Sequence, residues 1–133
     1  MNGRAQLLVG SVLGFIAVLL GAFGAHALEG RLEPRLMRAF DTGARYQAIH
    51  ALALVALAAH GPHATERARS WLDRAALGFT AGTVLFSFSL YGLALTGVRA
   101  LGMITPLGGL SFLAGWVCLF IAALRQNSER HRT

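Results

Sequence analysis

Acidic and basic side chains are absent from four long stretches of this chain, residues 5–28, 46–65, 75–98 and 100–124. Each reaches about the 20 residues that carry an α-helix across a hydrocarbon core about 30 Å thick. A bilayer interior offers no water to satisfy backbone N–H and C=O groups, so a chain that enters it repeatedly must do so as helices. The segregation of charge therefore predicts an all-α membrane protein of four transmembrane helices, at about residues 6–28, 45–60, 75–96 and 106–124, forming a single domain over residues 1–133.

Composition points the same way. Hydrophobic residues make up 55% of the chain and charged residues 14%, against roughly 25% charged in soluble domains, so a soluble fold would lack the polar surface to cover itself. The net charge of +6 does not suggest nucleic acid, because the arginines sit in short connectors rather than along one exposed stripe. Membrane lipids with anionic head groups fit that distribution better.

The first apolar run, residues 7–23, exceeds the 7–15 residues usual for a signal-peptide core, so retention as a transmembrane helix is expected. After it, Arg31, Arg35 and Arg38 alternate with Leu32, Leu36, Met37 and Phe40. Pro34 suits a helix start and Gly43 a helix stop, which predicts a short amphipathic helix at about 34–42 lying in the interface between the first and second spans. The second span, beginning near Arg45, is the least apolar of the four. Gly61-Pro62 ends it, and Thr105-Pro106 favours the start of the last helix. Seven arginines flank the helices on the side of the termini and five on the other, which places both termini in the cytoplasm by the positive-inside rule.

Small residues recur at helical spacing: Gly10, Gly14 and Gly21 on the first helix, Gly78 and Gly82 on the third, Gly108 and Gly115 on the fourth. Such stripes let backbones approach closely in lipid, within one bundle or between copies. The sharpest polar grouping falls around the first connector, where His26 ends the first helix and His50 lies in the first turns of the second. Glu29, Asp41, Arg45 and Tyr46 fall at the same expected level. Three readings are open for these six residues: a buried network that neutralises Arg45, a site for a lipid or quinone head group, or a haem or metal site built on the two histidines. No metal ligand set of recognised spacing, phosphate-binding glycine loop, CxxC, HExxH or GxSxG motif occurs, so neither a cofactor nor an enzymatic activity is expected.

Four blocks of residues carry a resemblance: residues 21–28 (GAFGAHAL); 42–47 (TGARYQ) with His50, Ala51 and Leu52; 87–91 (SFSLY) with Leu95, Thr96 and Gly97; and 104–109 (ITPLGG) with Gly115 and Trp116. Together they resemble the YgdD-like family of small inner-membrane proteins, a domain of unknown function (DUF423) with mitochondrial relatives. Family members usually carry a small residue where Phe88 stands and a valine where Ala44 stands. The resemblance implies a four-helix protein of the bacterial inner membrane and carries over no catalytic residue. The expected role is a structural or accessory subunit that assembles with itself or a larger membrane complex through glycine-rich faces. The alternative is a binder of a lipid, quinone or haem at the His/Arg/Tyr cluster, with oligomeric solute transport disfavoured for want of a discontinuous helix pair.

Overall fold

A computed structural model of the chain describes residues 1–130, with side chains through Gln126. Helix α1 spans Gly3–Phe23, its first turn capped by the Asn2 side chain, which accepts from the Ala5 N–H at 2.9 Å, and it closes on a π turn, Gly24–Leu28. Helix α2 follows at Pro34–His60 and ends in a 3₁₀ turn, Gly61–His63. Helix α3, Glu66–Gly82, continues through a second π turn, Thr83–Ser87, into α4, Phe88–Thr96. Gly97 then adopts φ 71°, a left-handed conformation that glycine reaches without strain, and returns its N–H to the Leu93 carbonyl. A 3₁₀ turn, Arg99–Met103, leads into α5, Thr105–Arg130. The described residues thus form four antiparallel rods, α3 and α4 being one continuous rod.

The second rod departs from the expectation. Residues 34–42 are not a separate interfacial helix, and Gly43 is not its stop; both belong to one uninterrupted α2. Pro34 starts the helix as expected, but Gly43 serves close packing. A Cβ there would lie 2.9 Å from Tyr91 Cε1 and 3.1 Å from the Ser87 carbonyl oxygen. The helix-propensity cost of an interior glycine, about 1 kcal/mol, is met by seating α2 against α4. The third rod also begins earlier than expected, because the polar residues from Glu66 onward form two turns of α3 behind the Thr65 cap.

Three rods, Gly3–Leu28, Glu66–Thr96 and Arg99–Gln126, are long and apolar enough to cross a membrane. α2 is long enough but carries Arg35, Arg38, Asp41 and Arg45 in its first half, and its apolar side is covered by its neighbours. Phe40, Ala51, Leu54 and Leu57 are all buried. Around the bundle the apolar side chains point outward, among them Phe15, Val18, Leu110 and Phe120, as lipid-facing residues do.

Glycine sets the spacing of the rods. A Cβ on Gly78 would lie 2.9 Å from Gly115 Cα, and one on Gly10 would lie 3.0 Å from the Ala51 carbonyl oxygen. Gly82 receives the Phe112 ring, Gly108 the backbone of Phe86, and Gly115 the ring of Phe79. Gly14 and Gly21 differ: a Cβ on Gly14 would make only an ordinary 3.8 Å contact with Ala51, and one on Gly21 would meet nothing within 4 Å. Gly108→Ala is expected to lower stability in detergent by about 1–3 kcal/mol through overpacking against backbone, and Gly21→Ala to leave it unchanged or slightly raised. Thermal unfolding followed by circular dichroism checks both, and equal losses would contradict this account of the two positions.

Candidate functional site

The antiparallel register of α1 and α2 decides which polar residues meet. Gly24 lies against Phe40, while Gly10 lies against Ala51, Leu54 and Val55. His50 is therefore level with residues 10–13 of α1, and His26 stands about 20 Å further along the axis at 1.5 Å per residue. The two histidines do not share a depth, because α2 begins at Pro34 rather than near Arg45 and its extra turns move His50 toward the middle of the bundle. His26, Glu29, Asp41 and Arg45 are exposed. Among the described residues Arg45 forms no ion pair with Asp41 or Glu29, and only Tyr46 and His50 of the six come together.

A different buried network occupies the interior. Gln47, with no exposed surface, donates from Nε2 to the Leu13 carbonyl at 2.8 Å and accepts at Oε1 from the Tyr91 hydroxyl at 2.7 Å. One amide thus joins α1, α2 and α4. Beside it Ser87, also fully buried, lies in the π turn, and its Oγ has no partner among the described residues. Sequence reasoning singled out neither Gln47 nor its pairing with Tyr91. The available signal was the spacing of Gln47 and His50, three residues apart on one helix face inside an otherwise charge-free stretch.

His50 sits one turn further along, on the side facing α5. Its Nδ1 lies 2.7 Å from the Tyr46 carbonyl, and its Nε2 accepts from the Trp116 indole N–H at 3.1 Å. A carbonyl only accepts and an indole N–H only donates, so these partners assign the neutral Nδ1–H tautomer. The imidazole also stacks on the Phe112 ring, with centroids 3.6 Å apart and planes 7° from parallel. Both ring nitrogens are thereby engaged, and the ring acts as a fixed platform.

That platform forms part of the wall of a groove of about 560 Å³ between α2 and α5, opening sideways from the bundle. Tyr46, Phe86, Leu110, Leu113 and Trp116 complete most of its wall, and Gly109 lies in its lining. The Tyr46 ring packs 4.8 Å from Phe86 and 6.1 Å from Phe112, and its hydroxyl makes no hydrogen bond among the described residues. The groove therefore combines an apolar aromatic surface with one unengaged phenol. Among the described residues no three His, Cys, Asp or Glu side chains converge as a metal ligand set. A second, more polar recess of about 410 Å³ lies at the end of the bundle that holds the amino terminus. There Gln6 donates to the Met1 carbonyl at 2.7 Å and to Asp73 Oδ1 at 2.9 Å, tying α1 to α3.

The sequence profile of DUF423, described as a protein of unknown function, matches residues 20–109, from the end of α1 to the first turn of α5. The chain belongs to the DUF423 family. Among similar proteins, the inner membrane protein YgdD of Escherichia coli is 44% identical over 94% of this chain and 93% of its own length. The membrane protein YwdK of Bacillus subtilis is 37% identical over 92% of this chain and 98% of its own. No solved structure matches. The matched segment of this DUF423 protein contains Gln47, His50, Phe86 and Tyr91, and so the Gln47–Tyr91 bond and much of the groove, while Leu13, the third partner in the network, lies before it.

Removing the Tyr91 hydroxyl leaves Gln47 Oε1 buried without a donor. Tyr91→Phe is expected to cost about 1 kcal/mol, the usual scale of an interhelical hydrogen bond in a membrane protein. In the double variant Gln47→Leu/Tyr91→Phe the loss should be smaller than the sum of the two single losses, since the pair acts as a unit. Unfolding titrations in detergent micelles measure the cycle, and strict additivity would mean that the bond contributes nothing.

Proposed function

We propose that this DUF423 protein is a non-catalytic membrane protein that holds the hydrocarbon tail of one membrane amphiphile, a phospholipid or an isoprenoid quinone, in the groove between α2 and α5. The observation that carries this reading is the groove itself, an aromatic and aliphatic cleft open toward the bilayer with the unengaged Tyr46 hydroxyl in its wall. A phenol can donate to the ester carbonyl of a phospholipid or to a quinone carbonyl, the chemistry those two amphiphiles share. Small-molecule sites of this kind are mostly apolar with few polar groups, and facing helices of a bundle are a usual place for them.

A binding role suits the state of His50 better than a catalytic one. With Nδ1 committed to Tyr46 and Nε2 to Trp116, neither nitrogen is free to take a proton from a substrate or to ligate haem iron, and His26 stands too far along α1 to supply a second ligand. Assembly through glycine-rich faces has less support. Gly10, Gly78, Gly82, Gly108 and Gly115 are covered by the chain's own residues and Gly14 faces Ala51, which leaves Gly21 alone of these seven with open space beside it.

Protein isolated from its native membrane in mild detergent should carry roughly one lipid or quinone per chain, identified by native mass spectrometry and extraction. Gly109→Phe, which adds a ring at a position in the groove lining where a Cβ would make only an ordinary 4.0 Å contact with Phe86, should empty the site without loss of helical content. Tyr46→Phe should reduce occupancy while preserving the fold. Wild-type protein that holds no more amphiphile than the Gly109→Phe variant would overturn the reading.

A further inference from the structure

The outward face of α2 carries Arg38, Asp41 and Arg45, all exposed. Among the described residues none of the three side chains makes a hydrogen bond or ion pair. Their level makes this a demand rather than a detail. Tyr46, the next residue after Arg45, packs against Phe112 of α5 and Phe86 of the α3–α4 rod, inside the apolar stretches of both spans. Arg45 lies 11 residues into α2, about 16 Å from its first residue at 1.5 Å per residue. Ionisable side chains at such depth ordinarily face protein or a water-filled cavity and pair with one another. Further along, the same face continues as Ile49 and Leu52, the latter 72% exposed.

We propose that this face of α2 is covered by α2 of a second copy of the chain. Two copies related by a twofold axis along the membrane normal hold their α2 helices parallel, with the same patch on both sides of the contact. Asp41 and Arg45 are one turn apart and opposite in charge. Helical side chains lean toward the amino terminus, so each Arg45 rises toward the level of Asp41. The patch is therefore complementary to itself: Arg45 of each protomer meets the partner's Asp41, and the contact repeats by symmetry. Ile49 and Leu52 close against their counterparts below, and Arg38 remains at the head-group edge. An anionic lipid fits this face less well, because Asp41 stands between the two arginines. The inference is independent of the groove, whose nearest α2 residue, Tyr46, points about 100° around the helix from Arg45.

The test uses two differently tagged copies in native membranes, each bearing Leu52→Cys in a Cys118→Ser background. Without further change, a short bismaleimide should link the copies through residue 52. Val18→Cys on α1, at a position 75% exposed, should stay unlinked in the same background. Adding Asp41→Arg to both copies, or Arg45→Asp to both, should reduce the linked fraction by roughly tenfold, because like charges then face each other. Co-expressing an Asp41→Arg copy with an Arg45→Asp copy should restore linking between the two tags to about the parental level. Pairing within one chain cannot produce that recovery, since neither variant retains both charges. Absence of linking in the Leu52→Cys protein overturns the proposal whatever the charge variants do. Failure of the mixed pair to recover, when both variants keep their helical content, also overturns it and leaves lipid or an unlike protein as the occupant of the face.

Discussion

Two helices in lipid gain little by hiding apolar surface from each other, since the surrounding tails are as apolar as their side chains, so the bundle must be held by close contact and by polar bonds between rods. Here α5 sits close against α3, where a Cβ on Gly78 would come within 2.9 Å of Gly115 Cα. The glycine surface also leaves room for bulk on the facing rod. The Phe112 ring enters at Gly82, the Phe79 ring at Gly115, and the backbone around Phe86 at Gly108. Because Phe112 lies in that seam, its ring is fixed as the surface on which His50 stacks. The groove is thus a consequence of how α5 sits on α3 and α4.

The polar groups follow the same economy. Inside the bundle Gln47 meets the Leu13 carbonyl and the Tyr91 hydroxyl, and Ser111 donates to the Gly78 carbonyl at 2.9 Å. Each bond joins two rods at a depth where an orphaned polar atom is costly. On the outside, α2 presents Arg38, Asp41 and Arg45 where the other three rods present aliphatic and aromatic side chains. One helix therefore has two characters: an inward face that binds the bundle together and an outward face that ordinary lipid does not satisfy.

How much was legible beforehand differs from element to element. The three apolar spans could be read from runs without charge, and the helix starts at Pro34 and Thr105 from residues whose backbone chemistry is local. Gly43 misled because a glycine required for close approach and a glycine that ends a helix look alike in one dimension. Once residues 34–42 join α2, His50 moves about 20 Å along the bundle axis from His26, and a grouping built on similar depth comes apart. Trp116 and Phe112 could not be assigned to His50 at all, since they lie more than 60 residues away in the chain and only packing brings their rings together.

The sequence by itself determined that this chain is a helical membrane protein, because hydropathy, charge placement and helix-start chemistry are properties of neighbouring residues, and its likeness to the DUF423 family lay in four blocks of residues rather than in those patterns. Only the tertiary structure decided which glycines are consumed between rods, which polar side chains share a depth, and where an aromatic cleft opens. Those outcomes depend on the register of antiparallel helices, and register is set by contacts between residues far apart in the chain, which no local pattern encodes.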